Sequence, residues 1–386
     1  MKNDYDKYLK YKLKYLNLKK SLNTMIGSGS TNFGIFMLCM IKDHYVLGAC
    51  ITAYAHRQLI NKTNKNIDLN IMCDDYIYKK YNKTLSKYFD KVINLTLIHY
   101  DLLNSYNFAK TKYTWMGYSL SKWECLKYEE YNKVLFLDID ILPINVNFYD
   151  IFDYNTPAFL NWNRNKLKNC INNTKYRPNF NGTYNNLIRD TRTIGSVDGG
   201  ICLLEPSIEI HREYRNMSDT LFKNGIYSAS HTGPDELSLF YFYLKQNIKL
   251  HDICKDYATI PWEDNINNVK GYNFLSWVKP WKKPLFLNWN EEMVWRAIYN
   301  RMPKYGKIKS LQQKVTSDYI DEYKSFSSKY KHKFNNLDDK YKKDFYDILD
   351  SKKLDYDKLI KLESIVTFDK RFGLLNINLD DIFGSS

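Results

Sequence analysis

Short apolar runs alternate with stretches of helical periodicity through the first 140 residues, and this alternation constrains the fold more than any other feature of the chain. Residues 33–40, 67–73, 91–95 and 134–137 read as strands, and residues 43–60, 76–88 and 118–130 as the helices between them. Strand–helix alternation at this spacing predicts an α/β fold, a parallel sheet with helices on both faces. The rhythm breaks at residues 163–196, rich in Asn, Arg, Thr and Gly, which read as a long insertion. It resumes with a strand over 199–204 and helices near 207–223 and 234–246. Residues 1–20 have Tyr5, Leu9, Leu13 and Leu16 at helical spacing among lysines, a basic amphipathic arm suited to an anionic surface or a partner. Gly27-Ser28-Gly29-Ser30 reads as a linker. It precedes the first strand, so it is not the glycine loop that opens a helix after a strand in dinucleotide sites. The expected organisation is an arm and linker over 1–30, an α/β domain over 31–300 and a charged helical extension over 301–386.

Composition narrows the class of protein. With 386 residues, 44% of them hydrophobic, the chain has material for a large core and is not disordered. No apolar stretch approaches the ~20 residues of a membrane-spanning helix, and Lys and Tyr fill the opening where a secretion leader would be apolar. The seven cysteines are odd in number and include no Cys-x-x-Cys pair, which implies a reducing compartment, no disulfide framework and no zinc site. The expected location is cytoplasmic. The net charge of +14 favours polyanionic partners, but the lysines are spread along the chain and interleave with no stacking module, so nucleic acid is not the expected partner.

Chemistry concentrates where the run Val134-Leu-Phe-Leu meets Asp138-Ile139-Asp140. Residues two apart on a strand point to the same side. The two carboxylates therefore converge at the carboxyl end of a buried strand, where α/β folds bind ligands. Two bare carboxylates there repel each other, and a divalent cation with a taste for hard oxygen, Mn²⁺ or Mg²⁺, removes that cost. Such a cation can also neutralise a departing diphosphate.

Further blocks come in order: Val197-Asp198-Gly199-Gly200, then Gly233-Pro234-Asp235-Glu236, then Lys279-Pro280-Trp281. With the Asp-x-Asp they resemble glycosyltransferase family 8, the glycogenin-like retaining enzymes of GT-A fold, over about residues 33–285. The resemblance implies a Rossmann-like nucleotide-binding mixed sheet flanked by helices, with the helical extension after it. It makes Asp138 and Asp140 the metal pair, stacks Tyr45 on a uracil, and frames the base with the backbone around Cys39 and Ile41. It sets Lys122 near the donor sugar and diphosphate, turns Asp198, Gly199 and Gly200 to the transferred sugar, puts Asp235 and Glu236 on the reacting face, and grips the diphosphate with Lys279. Several positions depart from the pattern: Asp198 stands where the family usually has Asn, Glu236 where it has Gln, and Thr232 where it has an Asp upstream of Asp235. Asn273 stands where the family has a third-ligand His, and Ser276 where it has Gly. An amide oxygen still suits a hard cation, with preference moved towards Mg²⁺. The Lys/Tyr/Leu opening resembles that of many giant-DNA-virus proteins, which implies a host cytoplasm or virion.

The resemblance implies a metal-dependent hexosyltransferase taking a UDP-sugar, with glucose or N-acetylglucosamine the guessed sugar. The acceptor is a protein or glycan, including the chain's own tyrosines, and Asp235 is the candidate nucleophile or orienting carboxylate. A homodimer is common among such enzymes. The alternative raised by Asn273 is a non-catalytic sugar-nucleotide or glycan binder with a structural role.

Overall fold

A computed structural model describes residues 32–100, 114–161, 197–223, 234–260 and 269–274, with single positions elsewhere that include Tyr184, Lys279, Trp281, Trp295 and Met302. The arm and linker over 1–30, most of the 163–196 insertion, Ser276 and nearly all of the 301–386 extension lie outside the described residues.

The chain order is β1 (Asn32–Cys39), α1 (His44–Ile60), β2 (Asn66–Cys73), α2 (Asp75–Leu85), β3 (Lys91–Asn94), a 3₁₀ helix (Thr114–Lys127), β4 (Lys133–Leu137), β5 (Ile141–Pro143) and a second 3₁₀ helix (Val146–Asp153). Then come β6 (Ala158–Asn161), β7 (Val197–Leu204), α3 (Ile208–Lys223), α4 (Pro234–Lys245), β8 (His251–Ile253) and β9 (Gly271–Asn273). Seven strands form one sheet in the order β3-β2-β1-β4-β7-β6-β8, while β5 and β9 pair separately.

The predicted parallel sheet holds for half of the molecule. Strands β3, β2, β1 and β4 run parallel. Beyond β4 the sheet turns mixed: β7 is antiparallel to β4, β6 antiparallel to β7, and β8 parallel to β6. Strands β5, β6, β8 and β9 have only three or four residues each, too short to carry a periodicity of their own. The helix predicted over 118–130 is present, but as 3₁₀ turns over Thr114–Lys127. No amphipathic stripe marks it, because Leu120, Trp123, Cys125 and Leu126 are all buried and nearly every side is covered.

Alternation within β1 separates two cores. Ile35 and Met37 pack on one face with α1, Leu69, Ile71 and Leu135. Phe36 faces the other way, with Met72, Val134, Phe136 and the 3₁₀ helix. Helix α2 begins where the Asp74 carboxylate accepts the Ile77 N–H at 2.7 Å, and it buries Ile77, Tyr81 and Leu85 at successive turns. Trp281, Trp295, Ile298, Tyr299 and Met302 join the α1-side core, so the packed unit reaches at least to Met302. The six described cysteines are free thiols. Among the described residues, no helix is long and apolar enough to cross a membrane.

Candidate active site

The Asp138-Ile139-Asp140 turn is pinned by its backbone. The Asp138 N–H donates to the Gly200 carbonyl at 2.7 Å, and the Ile141 N–H returns to the Asp138 carbonyl at 3.0 Å. The buried Thr52 hydroxyl, from α1, donates to the Ile139 carbonyl at 2.8 Å. The Phe274 N–H donates to the Asp140 carbonyl at 3.0 Å. On the turn itself these four bonds engage only backbone groups, and both carboxyl groups are left to project from the end of β4.

Three other elements converge on the same point. Helix α4 brings Asp235 and Glu236 in its first turn, β7 brings Asp198, and β9 brings Asn273 opposite Ile141. Two glycines allow this approach. A Cβ on Gly199 would stand 2.7 Å from the Glu236 Cβ, and one on Gly200 would stand 2.9 Å from Asp198 Oδ1 and 3.1 Å from Asp138 Oδ2. The Gly199 N–H donates to Glu236 Oε2 at 2.7 Å, and the Gly200 N–H to Asp198 Oδ1 at 2.6 Å. The Trp123 indole N–H donates to the Asp235 carbonyl at 3.0 Å and holds the start of α4.

Five carboxyl groups share this buried region with two lysines. Lys122 Nζ lies 3.0 Å from Asp138 Oδ1 and 2.8 Å from Asp235 Oδ2. Lys279 pairs with Asp140 and donates to the Phe274 carbonyl at 2.8 Å. The surplus of negative charge shows in the titration of the groups. Burial raises the Asp138 carboxyl to about 7, with Lys122 opposing and Asp140 adding to the shift. Glu236 is pushed well above the usual carboxyl range by burial, Asp235 and Asp198. Burial works against the charge on Lys122, but Asp138 and Asp235 hold its ammonium well above the ordinary lysine range.

Of the predicted base-binding residues, Tyr45 stands near the carboxylate pair, whereas Cys39 and Ile41 neighbour Asp74. Tyr45 is half-buried, and burial together with Asp140 and Asp138 raises its hydroxyl to about 12. Its ring meets Trp281 edge-on at 5.9 Å. Trp281 in turn lies on Gly48, where an added Cβ would come within 2.7 Å of the indole. Cys39 is fully buried at the end of β1. Ile41 has φ 69°, a conformation that costs a β-branched residue roughly 1–3 kcal/mol. Its N–H donates to Asp74 Oδ2 at 2.6 Å, so Asp74 both caps α2 and fixes this strained turn. Sequence reasoning missed Thr52, Asp74 and Trp123. Only Asp74 carried a signal, as an Asp before a helix.

The donor set at the pair decides whether a cation fits. Among the described residues, no three His, Cys, Asp and Glu side chains already stand in metal-ligand geometry. Lysines engage both Asp138 and Asp140 instead. Asn273 adds the missing character: it is 2% exposed, its Nδ2 donates to Asp198 Oδ2 at 3.3 Å, and its Oδ1 is buried without a partner. A buried amide oxygen without a partner, on the residue paired with Ile141 one position beyond Asp140, is a hard-oxygen donor of the type that suits Mn²⁺ or Mg²⁺.

No family model matches the chain. It is 25% identical over 243 residues to the uncharacterized protein R707 of Acanthamoeba polyphaga mimivirus, covering 62% of this chain and 79% of that one. Among solved structures it is similar to the galactosyltransferase LgtC with donor and acceptor sugar analogs, at TM-score 0.45 and 12% identity, covering 75% of this chain and 99% of that one. It is also similar to the bifunctional glycosyltransferase WbbM, at TM-score 0.45 and 11% identity over 74% of this chain and 52% of that one. A third is mouse xyloside xylosyltransferase 1, at TM-score 0.37 and 10% identity over 63% and 98%. Side chains of this protein, not these likenesses, carry the functional reading.

Proposed function

We propose that this protein is a metal-dependent glycosyltransferase of the GT-A kind that moves a hexosyl group from a UDP-sugar to a protein or glycan hydroxyl. The observation that carries the reading is the meeting of Asp138, Asp140, Asp198, Asp235 and Glu236 with Lys122, Lys279 and the orphaned Asn273 oxygen at the carboxyl end of β4. Asp138, Asp140 and Asn273 would hold Mn²⁺ or Mg²⁺, which when bound supplies positive charge to a diphosphate leaving group. Lys279 and Lys122 add fixed charge at the same place, where negative charge develops as the sugar–phosphate bond breaks. Tyr45 offers its ring to the uracil, and the Ile41 turn, held by Asp74, presents backbone to the base edge. Asp198, Glu236 and the backbone of Gly199 and Gly200 orient the sugar.

In the transfer, the bond from C1 to the diphosphate oxygen breaks, and its electron pair leaves with the diphosphate. The acceptor oxygen bonds C1 and gives up its proton. Asp235 sits on the reacting face either as the nucleophile of a double displacement or as the group that orients front-face attack. Both retain configuration. Glucose or N-acetylglucosamine is the proposed sugar, and the chain's own tyrosines are among the proposed acceptors.

The test is UDP release over a panel of UDP-sugars with Mn²⁺, Mg²⁺ or EDTA. Metal-dependent release with one donor, lost in Asp140→Ala, supports the reading. Binding of UDP with metal but no release with any donor and acceptor assigns the site to recognition without catalysis. Full turnover in Asp140→Ala overturns it.

A further inference from the structure

The 3₁₀ helix Thr114–Lys127 has a second charged side. Lys122 faces the carboxylate cluster, whereas Glu124 and Lys127 look outward into a cavity of about 410 Å³ bounded by residues 96–100 and α3. This crevice shares no lining residue with the carboxylate cluster, and its chemistry is independent of any transferase activity there.

Its walls hold more positive than negative charge. Among the described residues, Lys127, Arg215 and Lys223 face two carboxylates, Glu124 and Asp219, with His99 and His211 beside them. Both carboxylates are already partnered. Glu124 pairs with Lys127, and its Oε1 lies 2.8 Å from His211 Nε2. Asp219 accepts the Tyr100 hydroxyl at 2.6 Å and pairs with Lys223 at 3.2 Å. Arg215 is left over. Its guanidinium lies 5.9 Å from the Tyr100 ring centroid, and its Nη1 is buried with no hydrogen-bond partner among the described residues. A buried donor without a partner has lost its water and gained nothing in return, and the planar guanidinium is shaped to meet an oxyanion with two parallel bonds. Lys127 and Lys223, 43% and 65% exposed, stand at the opening and can turn from Glu124 and Asp219 onto an arriving charge. The volume suits a ligand of monosaccharide size.

We propose that this crevice binds a phosphate group carried on a sugar-sized ligand, with Arg215 as its anchor and Lys127 and Lys223 closing over it. The probes are inorganic phosphate, glucose 6-phosphate and uncharged glucose, titrated calorimetrically into the full chain. The expected result is glucose 6-phosphate binding tighter than about 1 mM, or about −4 kcal/mol, with glucose silent and affinity falling as salt rises. Arg215→Gln weakens binding at least tenfold, while Asp140→Ala leaves it unchanged. Because Arg215 is part-buried, the paired variant Lys127→Gln/Lys223→Gln, at exposed positions, gives an independent reading and weakens binding several-fold. Inorganic phosphate binding as tightly as the sugar phosphate assigns the site to the bare anion and overturns the sugar-sized part. No heat with either anion, equal binding by Arg215→Gln, or loss of binding in Asp140→Ala overturns the whole proposal.

Discussion

The 3₁₀ helix Thr114–Lys127 stands between the carboxylate cluster and α3, and the ion pairs on those two sides have opposite surroundings. On the inner side, the Lys122 side chain is 10% exposed and bridges Asp138 and Asp235. On the outer side, Lys223 is 65% exposed and its pair with Asp219 is open to water. Separations are similar, so distance does not distinguish them. Solvent does: water screens the Lys223–Asp219 pair to about 0–1 kcal/mol, whereas removing one partner of a buried pair such as Lys122–Asp235 strands the other charge at about 3–5 kcal/mol. The inner side can thus serve chemistry that needs strong fixed charge. The outer side can exchange one anion for another.

The sharpest break of this comparison is Asp140→Ala. UDP release should fall by about 10²–10³ or more, the scale on which removal of one charge-stabilising group is felt. Steady-state kinetics at saturating metal measures it. Next is Lys122→Met, which leaves Asp138 and Asp235 without their cation. A loss of about 3–5 kcal/mol in urea denaturation is expected, and an unchanged midpoint would mean that the inner pairs are as screened as the outer ones. Gly199→Ala comes third, since its Cβ would stand 2.7 Å from the Glu236 Cβ. Forced overpacking there should cost about 1–3 kcal/mol, with α4 displaced and KM for the donor raised.

A buried group with no carboxylate partner sharpens the contrast through pH. Burial lowers His56 to about 3 from the usual 6.5. Its neutral ring, 3.0 Å from the Tyr149 hydroxyl, is what the fold accepts. The folded value lies below the unfolded one, so this stability is full above about pH 6.5 and is lost as pH falls towards 3. One proton contributes a slope of up to about 1.4 kcal/mol per pH unit. Urea midpoints between about pH 7 and pH 4 should fall less steeply in His56→Gln. The smallest effect is Lys223→Gln, which should change stability by no more than about 0.5 kcal/mol. A larger loss in thermal melts would show that the outer pairs are not screened.

Much of this protein is decided by local sequence. The runs at 33–40, 67–73, 91–95 and 134–137 became β1 to β4 almost to the residue; β1 and β4 are buried on both faces and read as near-unbroken apolar runs. The carboxylate pair was equally legible, since a period of two fixes where Asp138 and Asp140 point once the strand is known. In the mixed half, β7 was legible as the run at 199–204 and the resemblance implied a mixed sheet, but β6, β8 and the separate strand β9 were not: they are three or four residues long and exist because distant partners satisfy their backbone groups. The same holds for the site's supports. Thr52, 87 positions before Ile139, and Trp123, 112 before Asp235, reach their partners only through packing. The strain at Ile41 and the surplus guanidinium of Arg215 leave no trace in sequence, because both depend on which polar groups tertiary structure brings within reach and which it leaves without a partner.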